Sequence, residues 1–189
     1  MHASLCDFLT DIVQNSIEAG SHLISIQIYQ DEHAMTFKVT DDGRGMSEEQ
    51  LRKALDPFYS DGVKHEHRKV GLGLPFLQQM IEETGGDFSI SSKVGEGTEV
   101  NWKVPLDHID SPPSGDIPSA LNSLMAYPGD FELRFYRCAE KGEAKEEYEV
   151  NKSDLLEVLQ DLSTAGNLVL MKEFLQSQET AIEEFLQRD

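Results

Sequence analysis

Cysteine, tryptophan and positive charge are all in short supply in this 189-residue chain. It has one tryptophan and two cysteines, Cys6 and Cys138, which lie far apart without a CxxC spacing; buried or half-buried thiols are expected. Only 16 lysines and arginines face 35 aspartates and glutamates, a net charge of −19. That balance argues against nucleic acid and anionic membrane surfaces as partners, because either polyanion would be repelled. No apolar run approaches the roughly 18 residues of a membrane span. The N-terminus also lacks the basic start and apolar stretch of a secretion signal, so the expected address is cytoplasmic. What is present, 39% hydrophobic and 27% charged residues, describes a globular chain long enough for one domain plus a small appendage.

Periodicity orders the first half. Residues 4–19 read as a helix capped by Ser4 with Asp7 three residues on, and Leu5, Phe8, Leu9, Ile12, Val13 and Ile17 form its apolar stripe. Two alternating segments, 23–30 and 34–40, suggest a hairpin through Asp31, Glu32 and His33. Ser47 and Gln50 make a capping-box start for a short helix to about residue 55. Residues 56–74 show no clear period. Pro75 sits in the first turn of a helix ending near Gly85 and Gly86, and strands at 87–93 and 98–104 follow, joined by a Gly-Glu-Gly turn. Helices alternating with hairpins predict an α+β, two-layer sandwich, with helices on one face of a mostly antiparallel sheet.

Residues 106–118 hold three prolines and one glycine and read as a linker between a unit at 1–105 and a small α/β module at 119–189. That module is expected to contain a short helix, two strands near 131–138 and 146–150, and one or two final helices. Residues 106–189 carry 18 acidic and 7 basic residues, 11 of the 19 net negative charges, which read as a solvated acidic surface.

Three groups carry chemistry. On the first helix Asp11, Asn15 and Glu18 fall within roughly 60° of one another, opposite the apolar stripe; an amide oxygen can ligate Mg²⁺, and a carboxylate one turn away can polarise a nucleophile. Asp41, Asp42, Gly43, Arg44, Gly45 and Met46 follow a strand, where an acid can accept a hydrogen bond from an adenine amine and glycines admit a base close to the backbone. Lys69, Gly71, Gly73 and Pro75 mark a glycine-rich entry into a helix, a natural phosphate seat. The last is neither a GxxxxGK[ST] loop nor a dinucleotide fingerprint inside a βαβ unit.

Each group alone also fits a plain polar face, an acidic turn or a loose connection. Their order is more specific. A helix-borne Asn, a strand-end DxGxG, a gap, GLGL opening a helix, then Gly97 and Thr98 starting a strand resemble the GHKL superfamily over about residues 4–105. This group includes sensor histidine kinases, anti-sigma-factor serine kinases, type II topoisomerases, heat-shock chaperones and the mismatch-repair ATPase. The segment LGLPFLQQMIEETGGDFSISSKVGEGTEVNWKVP is similar to the histidine-kinase catalytic domain, whereas DIVQNSIEAG is closer to the mismatch-repair version. The resemblance implies ATP and Mg²⁺ as ligands. Asn15 would hold the metal, and Asp41 would accept the adenine amine. Gly43 and Gly45 would let the base approach, Gly71 and Gly73 would offer amides to the phosphates, and Thr98 would support the base. Met46, Leu72 and Leu74 complete the nucleotide contacts it implies. Asp56, Pro57, Phe58 and Tyr59 resemble an aromatic box preceding a lid at 60–69, with Arg68 and Lys69 as phosphate contacts and His65 and His67 as exposed lid residues rather than a metal pair.

Two departures shape the functional expectation. None of the six histidines has the His-[Glu/Asp]-x-x-[Arg/Asn]-Pro setting of a phosphoacceptor helix, so neither such a helix nor a self-phosphorylating sensor kinase is expected of this chain alone. Asp11, the implied catalytic residue, stands where hydrolysing relatives place the longer Glu. The leading expectation is a Mg-dependent ATP-binding protein acting as a slow ATPase or as a kinase on a separate protein. The alternatives are an ATP-controlled protein-binding switch, an anti-sigma-type serine kinase, or a fold that no longer binds nucleotide.

Overall fold

The computed structural model describes residues 4–57 and 73–188. The chain runs α1 (Leu5–Glu18), β1 (Leu23–Gln30), β2 (Ala34–Asp41), α2 (Glu48–Ala54), α3 (Gly73–Thr84), β3 (Asp87–Lys93), β4 (Gly97–Pro105), α4 (Ile117–Met125), β5 (Glu132–Lys141), β6 (Ala144–Asn151), α5 (Lys152–Leu159) and α6 (Ala165–Gln187). The strands make one sheet in the order β3-β4-β2-β1-β5-β6. β1 and β5 are its parallel pair, and the other four neighbours are antiparallel.

Alternation sets which face is covered. Ile24, Ile26 and Ile28 on β1, Met35, Phe37 and Val39 on β2, Val100, Trp102 and Val104 on β4, and Leu133 and Phe135 on β5 are buried together. Phe37 and Trp102, directly paired across β2 and β4, stack with ring centroids 4.9 Å apart and an interplanar angle of 2°. The helices meet in the sequence α3, α1, α4, α6 across that face. This is the expected α+β sandwich. Ser4 and Asp7 form the capping box of α1, and Ser47 and Gln50 that of α2. Both cysteines are buried, and burial, with Asp116 second, pushes the Cys6 thiol up to about 12.

The C-terminal part is bonded to the N-terminal part through the sheet. β5 pairs with all of β1, from Leu23 opposite Glu132 to Gln30 opposite Ala139, so residues after 116 extend the same sheet and share its core. The 106–118 segment is tied down as well: the carbonyls of Pro113 and Ser114 accept from the Leu5 and Cys6 amides at the start of α1, at 2.9 and 3.0 Å. The physical reason is that β1 has a second edge and an apolar face to cover, and proline content does not reveal what a segment touches. A parallel partner needs a long crossover, which the stretch from β4 through α4 supplies.

Candidate functional site

α1 turns one side to the core and the other to a cavity of about 310 Å³ bounded by β2, β4, the loop after β2 and the start of α3. Its polar lining includes Asn15, Ser16, Glu18, Asp41 and Thr98, and Gly45, Met46 and Leu74 line it too. The structure therefore brings Asn15, Asp41, Gly45, Met46, Leu74 and Thr98 around one cavity although they are scattered over more than eighty residues. The expected contacts at Arg68, Lys69, Gly71 and Leu72, with Phe58, Tyr59 and the lid histidines His65 and His67, lie outside the described residues.

The two adjacent aspartates separate into different tasks. Asp41 is 8% exposed; its Oδ2 accepts from the Ser16 hydroxyl at 2.7 Å and its Oδ1 from the Gly43 amide at 2.9 Å. These bonds fix the carboxylate plane at the cavity wall, with acceptor capacity left over. Asp42 turns outward, and its Oδ1 takes the Leu23 and His22 amides at 2.9 and 2.7 Å. Those backbone bonds, Leu23 first, hold the Asp42 carboxyl below the usual carboxylate range. Asp41 is thus the acid that faces the cavity, and Asp42 braces the start of β1.

Gly45 has a more immediate constraint than the approach of a base. Its φ is +62°, and a methyl group there would lie 2.0 Å from the carbonyl oxygen of Lys93, the last residue of β3 before the turn to β4. The same turn is held from the other side, since the Gly95 amide donates to the Arg44 carbonyl at 2.8 Å. Gly73 meets the catalytic candidate: a methyl on it would come within 2.1 Å of Asp11 Oδ2. Asp11 therefore lies against the first residue of α3, one turn from Asn15.

Two serines were not singled out by the motifs. Ser16 directly follows Asn15 and faces Asp41 across 25 residues of sequence, a contact with no local signature. Ser92 accepts from the Met46 amide at 2.8 Å and stands 2.8 Å from Thr98 Oγ1. The register of the β3–β4 hairpin, which pairs Ser92 with Thr98, could have revealed it.

The donor set suits a hydrated divalent ion. Asn15 offers one exposed amide oxygen at the cavity, in keeping with Mg²⁺, which keeps waters and shares phosphate oxygens instead of occupying an all-protein cage. Such an ion would neutralise phosphate charge, and Asn15 would orient it.

Known proteins resemble this chain in fold and in sequence. The N-terminal domain of a DNA repair protein superposes with a TM-score of 0.52 at 14% identity, over 77% of this chain and 52% of that one, which is a likeness of fold. Sensor histidine kinase SpaK of Bacillus subtilis is 32% identical over 107 residues, covering 56% of this chain and 23% of the kinase. Sporulation kinase B of Bacillus subtilis (strain 168) is 34% identical over 100 residues, covering 51% of this chain and 22% of that protein. The matched region thus spans less than a quarter of either kinase. Residues 3–108 match the family described as histidine kinase-, DNA gyrase B-, and HSP90-like ATPase, and the chain belongs to that family of ATP-binding domains.

Proposed function

We propose that this chain binds ATP with Mg²⁺ in the α1–β2–β4 cavity and either hydrolyses it slowly or passes its phosphoryl group to a separate protein in the cytoplasm. The observation that carries the reading is Asp41, oriented by Ser16 and Gly43 at the wall of a cavity that also holds Asn15 and Thr98. An oriented carboxylate accepts from the adenine amine, Asn15 holds the metal, and the start of α3 faces the phosphates. Asp11, against Gly73, orients the water or hydroxyl that attacks the terminal phosphate.

Two measurements test this. Millimolar Mg·ATP should raise the thermal midpoint by mass action, and Asn15→Ala should reduce the gain; an unchanged midpoint in the wild type removes the nucleotide reading. Labelled ATP then reports whether phosphate is freed, stays on the chain or reaches an added protein. Asp11→Asn should retain Mg·ATP binding and lower turnover by about 10²–10⁴-fold, the range for a general base. Wild-type turnover in that variant would dismiss Asp11.

A second reading, an ATP-controlled binding switch, draws support from the join between the two halves. The 113–114 carbonyls cap the helix that bears Asn15, and β5 is bonded to β1. Nucleotide-dependent shifts of α1 would therefore reach the acidic C-terminal surface. Partner capture that depends on ATP, with no turnover, favours this reading.

A further inference from the structure

The hydroxyl of Thr98 is in contact with Ser92, a residue outside the nucleotide motifs. Ser92 Oγ has three neighbours: the Met46 amide at 2.8 Å, the Gly97 carbonyl at 3.1 Å and Thr98 Oγ1 at 2.8 Å. The amide can only donate to Ser92 and the carbonyl can only accept from it, so all three contacts are hydrogen bonds at once only when the single Ser92 proton goes to Gly97. In that arrangement Thr98 donates to Ser92, which turns its proton away from the cavity and leaves its oxygen there as an acceptor. Asp41 is an acceptor too, and its two nearest donors, the Ser16 hydroxyl and the Gly43 amide, are already engaged on it. The wall formed by Asp41 and Thr98 thus accepts hydrogen bonds and offers none.

We propose that Ser92 is a positioning residue for base selection, holding the Thr98 hydroxyl as an acceptor so that the site takes a purine with a 6-amino group and rejects one with a 6-oxo group. The inference rests on the nucleotide reading and extends it to the origin of its base preference. A 6-amino group brings two protons to two acceptors. A 6-oxo group brings an acceptor to the same wall and is left unpaired, the arrangement that discriminates most strongly in a buried site.

The test compares ATP with inosine triphosphate, which replaces the 6-amino group by oxygen and adds no 2-amino group. Calorimetry with Mg²⁺ on the full chain covers the wild type, Ser92→Ala, Thr98→Val and the double variant. The wild type should prefer ATP. Ser92→Ala frees the Thr98 proton to meet a 6-oxo group and should shrink the preference about tenfold. With Thr98→Val already present, Ser92→Ala should change the preference no further, an outcome that mere loosening of the β3–β4 turn would not produce. Ser92→Thr should restore the ratio lost in Ser92→Ala.

An unchanged ratio in Ser92→Ala overturns the proposal, as does an equal drop in the Thr98→Val background. If Ser92→Ala does not fold, Thr98→Val alone decides: a reduced preference supports the proposal and an unchanged one overturns it. Equal wild-type affinity for both nucleotides defeats base selection while leaving nucleotide binding intact; no binding of either defeats both.

Discussion

The segment from α1 to β4 and the segment from α4 to α6 share a sheet and a core, yet they dispose of their buried polar groups in opposite ways. In the first, Ser16, Gly43 and Ser92 hold Asp41 and Thr98 at a cavity wall with acceptor capacity unspent. In the second, the polar groups close on one another. Arg137, 1% exposed, donates from Nε to Glu179 at 3.1 Å, from Nη1 to the Cys138 carbonyl and from Nη2 to Gln30, while the Tyr148 hydroxyl donates to the same Glu179 oxygen at 3.0 Å. Burial, then Glu179, drives the Tyr148 hydroxyl above its ordinary range. Lys152 behaves likewise, donating to the Tyr127 carbonyl at 2.9 Å with its ammonium 3.7 Å from the centre of the Phe131 ring. Arg137 and Glu179 also line a cavity of about 290 Å³, so neither burial nor a cavity by itself marks a functional polar group.

Removing residues 106–189 is the most drastic test of this comparison. It would bare the full β1 edge and the α1 amides now met by Pro113 and Ser114. The remaining 1–105 segment should lose cooperative unfolding in urea and expose apolar surface to a hydrophobic dye. A sharp transition and a native-like spectrum would instead establish 1–105 as a self-standing unit. Next in size is Arg137→Ala, which strands Glu179 as a buried charge and should cost about 3–5 kcal/mol in chemical denaturation. Replacing both partners with apolar residues of similar volume should cost far less; an equal cost would show that packing, and not pairing, matters there.

A smaller effect is expected in the first segment. Asp41→Asn allows an amide donor to face the adenine amine and should weaken ATP binding by roughly 1–3 kcal/mol, read by calorimetry. Unchanged affinity would place the base elsewhere. The smallest effect concerns acid stability. Backbone amides hold Asp42 below its unfolded pKa, and Ser119 does the same for Asp116 at the start of α4. A lowered folded pKa means that the contribution is present above the unfolded value, near pH 4, and fades as pH falls through the folded value. Asp42→Asn should therefore flatten the decline in stability below about pH 4; an unaltered acid profile would show that its two amide bonds contribute nothing to it.

Most of the first segment was legible because its constraints are local or ordered along the chain. Helical spacing named the buried stripe of α1, the capping boxes at Ser4 and Ser47 marked two helix starts, and alternation gave the strands. Asn15, Asp41, Gly45 and Thr98 were found through the order of their motifs, and the cavity brings them together. The choice between Asp41 and Asp42 rested on resemblance until the hydrogen bonds of each were known. Ser16 and Ser92 escaped notice because a lone serine has no periodicity, and its partner lies on another element.

Sequence alone determined the class of fold and singled out motif residues that meet at one cavity, since period, caps and glycine spacing act over a few residues and are written in consecutive positions. Tertiary structure decided the rest. That β5 adds to β1, that the proline-rich segment caps α1, that Arg137 is matched by Glu179, and that Ser92 meets Thr98 all depend on groups meeting in space. Hydrogen bonds and ion pairs act over about 3 Å of space, whatever number of residues separates the partners in the chain.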